Sequence, residues 1–144
     1  MTEIQSRSVG IIGCGWLGKP LVQALVAKDY RVVATTQTAE KLALLRSYGA
    51  AAELLSLPFP DSEITLANKS QIFNCQTLVI CITPQLRQGQ TNYPEKIAQI
   101  VQCAEQSKVE KIILLSTTAV YEGYSGEVTE ELAPKMGNSK VDII

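Results

Sequence analysis

Five short apolar runs, separated by stretches of helical or polar pattern, organise this chain. The first, from Val9, ends at Gly13, and Leu17, Leu21, Val22 and Leu25 then recur at helical spacing. Asp29 and Tyr30 turn the chain into a second strand, Arg31 to Thr35. Thr38 is placed to cap a helix from Ala39 to Tyr48, with Leu42, Leu45 and Tyr48 on its inner face and Gly49 as its stop. Ala52 to Leu57 reads as a third strand, stopped by Pro58 and Pro60. Asp61 to Cys75 is hard to read, with a short helix expected around Ile64 to Ala67. Thr77 to Ile82 is continuously apolar, which predicts a strand buried on both faces, and Thr83-Pro84 closes it. After a Gln-rich loop to Asn92, Pro94 opens a helix carrying Ile97, Ile100, Val101 and Ala104. Lys111 to Leu115 is expected to be a second strand buried on both faces. Strands alternating with helices predict an α/β fold: a Rossmann-like, doubly wound parallel sheet of about five strands in the order 3-2-1-4-5.

The junction of the first strand and helix carries the most specific chemistry. Gly13, Gly15 and Gly18 fall at the spacing G-x-G-x-x-G between a strand pattern and a helix pattern, the context of a dinucleotide-binding turn. Gly13 permits the tight turn, Gly15 lets backbone approach a pyrophosphate, and Gly18 lets helix and strand pack closely. With Trp16 and Leu17, they are the expected phosphate-binding residues, aided by the positive end of the helix dipole. Beyond the second strand, where an acidic residue commonly holds the adenosine ribose of NAD, the chain reads Ala34-Thr35-Thr36-Gln37. The missing carboxylate removes a barrier to the 2′-phosphate of NADP, and Thr36, Gln37 and Lys41 remain to meet it. Arg31 begins its strand and so lies at the wrong end of the sheet. NADP is therefore expected over NAD. Thr83 and Pro84, closing the fourth strand, complete the expected cofactor-binding set.

Bulk properties narrow the alternatives. The 144 residues suit one domain, 1–144, and a net charge of −1 supplies no general attraction to nucleic acid or anionic membranes. No apolar run is long enough to span a bilayer and the first eight residues are polar, so a cytoplasmic location is expected. There is no histidine and the four cysteines lack C-x-x-C spacing, which argues against a metal site and against Ser/His or Cys/His catalysis. Cys81 and Cys103 read as small hydrophobes. Cys14, near a helix N-terminus, is either a thiol of lowered pKa or a small residue tolerated in the turn.

The segment Leu115-Ser116-Thr117-Thr118-Ala119-Val120-Tyr121, followed by Glu130, Glu131 and Pro134, resembles the S-[ST]-x-x-V-Y…E…P stretch of the extended short-chain dehydrogenases/reductases. These form the NAD-dependent epimerase/dehydratase group. The turn Gly-Cys-Gly-Trp-Leu-Gly is similar to that of an atypical branch. The resemblance implies an oxidoreductase or epimerase that moves hydride between NAD(P) and a small-molecule substrate. It implies Thr117 as the residue that hydrogen-bonds the substrate oxygen; capping of the following turn is the alternative. The group's Y-x-x-x-K motif aligns with Met136-Gly137-Asn138-Ser139-Lys140, which implies Lys140 as a cofactor contact. The proton-transfer tyrosine, however, is replaced by Met136, whose thioether has no ionisable proton. Members of the group continue beyond the position of Ile144 with a substrate-binding region. The chain is thus expected to be the truncated N-terminal portion, with impaired chemistry and a fifth strand at an open edge that a second copy or another partner covers. The alternative function is an NADP sensor acting through a protein partner. A third reading, the ligand-binding domain of a potassium-transport regulator, fits the opening glycines. It is disfavoured by the missing acid and by the Ser-Thr-Thr-Ala-Val-Tyr stretch.

Overall fold

Residues 7–63, 70–85 and 89–137, with Asp142 and Ile144, are described in a computed structural model of the chain. The expected short helix around Ile64 to Ala67 lies outside them. Five parallel strands form one sheet in the order β3-β2-β1-β4-β5, as the pattern predicts. They are β1 Ser8–Ile12, β2 Arg31–Thr36, β3 Ala51–Leu54, β4 Thr77–Ile80 and β5 Lys111–Leu114. The helices are α1 Gly18–Ala27, α2 Ala39–Ser47 and α3 Tyr93–Glu105, with short 3-10 turns at Asp61–Glu63, Gln71–Asn74 and Thr118–Tyr121.

Side chains of a strand alternate between faces, and the two apolar clusters divide accordingly. Val9, Ile11, Val32, Ala34, Ala52 and Val79 pack with Val22 of α1 and Leu45 of α2. Ile12, Val33, Leu78 and Ile80 pack with Ile72, Phe73, and Ile100 and Cys103 of α3. Both faces of the central strands are covered, which explains their continuous apolar runs.

Several element ends differ from expectation. Thr38 stands at the N-cap of α2 with extended backbone, but no side-chain bond caps the helix; its carbonyl accepts from Lys41 N–H at 3.2 Å. Strand β3 stops at Leu54, because after the Leu55 N–H bond to Thr36 O the chain leaves the sheet and Phe59 is held by the Gln99 side chain of α3. The larger correction concerns β5. All its residues are exposed, with Ile113 at 43%. An apolar run sets a strand's capacity for burial, whereas its neighbours decide whether it is buried. β5 is the outer strand, paired on one side only, by β4.

Candidate functional site

The strand order reverses between β1 and β4, and in open α/β sheets ligands bind at the carboxyl ends of the strands at such a switch point. Two cavities lie there, of about 230 and 320 Å³, sharing Gly15, Cys81, Ile82 and Thr83. They form one crevice over the ends of β1 and β4.

The glycine turn shapes its floor, each glycine for a different reason. Gly13 has φ +91°, and a Cβ there would lie 2.9 Å from Ile82 N. Only glycine therefore lets the β1 exit pass the β4 exit. A Cβ on Gly18 would stand 2.5 Å from the Gly13 carbonyl oxygen, so α1 touches the turn backbone to backbone. At Gly15 such a Cβ meets open space, with no atom beyond its chain neighbours within 4 Å, and Gly15 lines both cavities of the crevice. No side chain caps α1 and its first turn holds no acidic residue, so the turn is open to an anion. Thr35 of β2 holds it in place, its Oγ1 accepting from Gly13 N–H at 3.4 Å. These residues fit the pyrophosphate of a dinucleotide.

The 230 Å³ cavity is bounded on one side by Thr36, Gln37, Thr38 and Lys41, as expected for an adenosine site. Thr36 Oγ1 accepts from Thr38 N–H at 3.3 Å, fixing this polar wall. Leu55, Leu57 and Ile82 make an apolar wall. Arg31 is at the opposite edge, donating to Asn74 O at 3.0 Å.

The 320 Å³ cavity brings Trp16, Leu17, Thr83 and Pro84 together with Ser116 and Thr117. Thr117 is also the N-cap of the Thr118–Tyr121 turn, its Oγ1 accepting from Ala119 N–H at 3.3 Å. The hydroxyl thus makes the capping contact considered for it, while the residue lines the cavity. Met136 is 76% exposed and lines neither cavity, and Lys140 lies outside the described residues. The Tyr124 hydroxyl is engaged by Ala133 O, and its ring carries Lys135 Nζ at 4.5 Å from the centroid.

Cys14 takes the second of its two readings, a small residue accommodated in the turn rather than a thiol of lowered pKa. Burial pushes it up to about 11, and neighbouring Cys81 adds to the rise against weaker opposition from the Thr35 contact, Lys41 and Lys19. Its Sγ faces the Ile11 carbonyl at 3.9 Å, inside the core. Lys96 and Gln85, which also line the 230 Å³ cavity, were not among the residues expected from the sequence. Lys96 was legible in principle, since it stands one turn before Ile100 on the inner stripe of α3.

Comparison with known proteins agrees with this geometry. The chain is 29% identical over 126 residues to protein YeeZ of Escherichia coli K12, a match covering 86% of this chain and 45% of the relative. It therefore spans about half the length of the curated relatives it matches. Yeast methylglyoxal/isovaleraldehyde reductase Gre2, solved with NADPH, superposes with a TM-score of 0.64 at 19% identity, covering 79% of this chain and 39% of that one. A candidate epimerase from Burkholderia cenocepacia J2315 reaches 0.74 at 15% identity, covering 96% and 46%. At these identities the two structures speak for the fold. A family model described as NADP oxidoreductase, coenzyme F420-dependent, matches residues 8–120, from β1 through the turn after β5. With its parallel sheet and glycine-turn crevice, the chain belongs to that NADP-binding family of Rossmann-fold oxidoreductases.

Proposed function

We propose that this chain is the cofactor-binding portion of an oxidoreductase of the extended short-chain dehydrogenase/epimerase kind, and that it prefers NADP to NAD. The observation that carries the reading is the contrast within the glycine turn. Gly13 and Gly18 are closed in by protein, whereas Gly15 opens on the crevice. When bound, the dinucleotide supplies hydride chemistry. The chain's own residues position it: the Gly13–Gly18 turn its pyrophosphate, and Thr36, Gln37 and Lys41 its adenosine ribose and 2′-phosphate. Thr83 and Pro84 flank the reactive end and Thr117 holds the substrate oxygen, a reading supported by their lining one cavity. The missing carboxylate after β2 and the ammonium of Lys41 support the preference for NADP.

Met136, exposed and aprotic, supplies no acid/base group where the family resemblance puts one. The proposal is therefore that the 144-residue chain binds cofactor and turns substrate over poorly by itself. The exposed side chains of β5 favour a covering partner, either a second copy or another protein segment. The test is calorimetric titration with NADP and NAD. Saturable binding of both, tighter for NADP, is expected; absence of binding would remove the proposal.

A further inference from the structure

We propose that Lys96 recognises the adenine ring of the dinucleotide, an inference that rests on the cofactor reading above. The inner face of α3 carries Tyr93, Lys96, Gln99, Ile100 and Cys103. Gln99 grips the backbone of Phe59 with both ends of its amide: Oε1 accepts from Phe59 N–H at 3.0 Å, and Nε2 donates to Phe59 O. This tether draws the segment after β3 over α3, and its Leu55 and Leu57, with Ile82 from the end of β4, wall the cavity that Lys96 lines. Lys96 is only 6% exposed. Its Nζ donates to Gln90 Oε1 at 3.1 Å, and among the described residues no carboxylate pairs with it.

A buried ammonium has three donors, and the single neutral amide of Gln90 is poor compensation for its charge. Such an arrangement makes physical sense where a ligand completes the shell. The polar wall of Thr36, Gln37 and Lys41 suits a ribose and its phosphate, while the glycine turn takes the pyrophosphate. The cavity that Lys96 lines also carries the apolar side chains of Leu55, Leu57 and Ile82, beside the polar groups of Thr83 and Gln85. The part of the dinucleotide that fits there is a flat aromatic ring with acceptor nitrogens on its edge, which is adenine. Lys96 donates to one of those nitrogens, and Gln90 holds its Nζ in place.

The test compares the whole chain with Lys96→Met, which keeps the apolar stem, and with Lys96→Gln, which keeps a donor for Gln90. The probes are NADP, NAD and 5′-AMP. Both variants are expected to bind all three about five- to tenfold more weakly, with the NADP-to-NAD ratio unchanged, because adenine is common to them. The melting temperature of the free variants should hold or rise, since a poorly compensated buried charge is gone. Unchanged affinities would overturn the proposal, as would a loss confined to NADP, which would put the ammonium on the 2′-phosphate. A lower melting temperature with unchanged affinities would make Lys96 structural and also overturn it. If the unaltered chain binds none of the probes, the cofactor reading fails and the proposal falls with it. If that chain binds and the variants bind equally, only the role of Lys96 is lost.

Discussion

Gly15→Val and Gly18→Ala separate ligand space from packing space three residues apart. At Gly18 an added methyl meets the Gly13 carbonyl oxygen at 2.5 Å and its carbon at 3.3 Å. Because the obstacle is backbone, α1 or the turn must move, at about 1–3 kcal/mol. Alanine's better helix propensity returns at most ~1 kcal/mol. A net loss of about 1–2 kcal/mol lowers the melting temperature by roughly 2–8 °C for a chain of this size. At Gly15 a Cβ meets open space and φ lies outside the left-handed region, so neither a Cβ clash nor left-handed strain opposes a side chain there. Stability should stay within about 0.5 kcal/mol of the unaltered protein. The isopropyl group, however, fills the crevice where backbone must approach the pyrophosphate. Losing a single charge-assisted hydrogen bond there costs about 1.5–3 kcal/mol, or roughly 10- to 150-fold in NADP affinity. Thermal melting without ligand, paired with calorimetric titration, reads both quantities. A Gly15→Val protein that binds NADP normally, or melts as early as Gly18→Ala, would refute the assignment of this space to ligand.

Three further outcomes follow from the same geometry. Thr36→Asp keeps an acceptor for Thr38 N–H and puts a carboxylate beside the 2′-phosphate, so the NADP-to-NAD affinity ratio should fall tenfold or more, about 1.4 kcal/mol; an unchanged ratio in paired titrations would separate Thr36 from specificity. Cys14 should resist iodoacetamide at pH 7–8 in the folded protein, and rapid labelling there would contradict its burial. Because its folded pKa, about 11, exceeds the ordinary 9.0, the stabilisation is whole below pH 9 and lost as pH rises towards 11, which denaturant titration across that window would follow. The 144-residue chain should show near-background turnover on a panel of carbonyl and sugar-nucleotide substrates, since an absent general acid/base alone costs ~10²–10⁴ in rate. Met136→Tyr should restore little, and robust activity in the unaltered chain would contradict this and point to Tyr121 or Tyr124 as the proton donor.

The sheet was legible because its determinants are local. The runs at Val9, Arg31 and Thr77, the helical spacing of Leu21 and Leu25, and the stop at Gly49 each record a choice made by neighbouring residues. The glycine turn was legible for the same reason. Tertiary burial was not. Gln99 is a polar residue of an amphipathic helix, and its burial goes with the return of the Phe59 segment over α3, which its amide holds. Cys14 sits near a helix N-terminus, but desolvation beneath the turn outweighs the attraction of that terminus for a thiolate. The apolar run of β5 says nothing of the neighbours it lacks.

The central claim is that a dinucleotide lies across the carboxyl edge of β1 and β4, its phosphates on the Gly13–Gly18 turn. The most direct measurement is an NMR titration of the labelled chain with NADP, following backbone amides. The account predicts saturable shifts at Gly13, Gly15, Trp16, Leu17 and Gly18, extending to Thr36, Gln37 and Thr83. Arg31, Asn74 and Gln76, at the opposite edge of the sheet, should stay unmoved. Shifts concentrated at that opposite edge, or none at millimolar NADP, would contradict it.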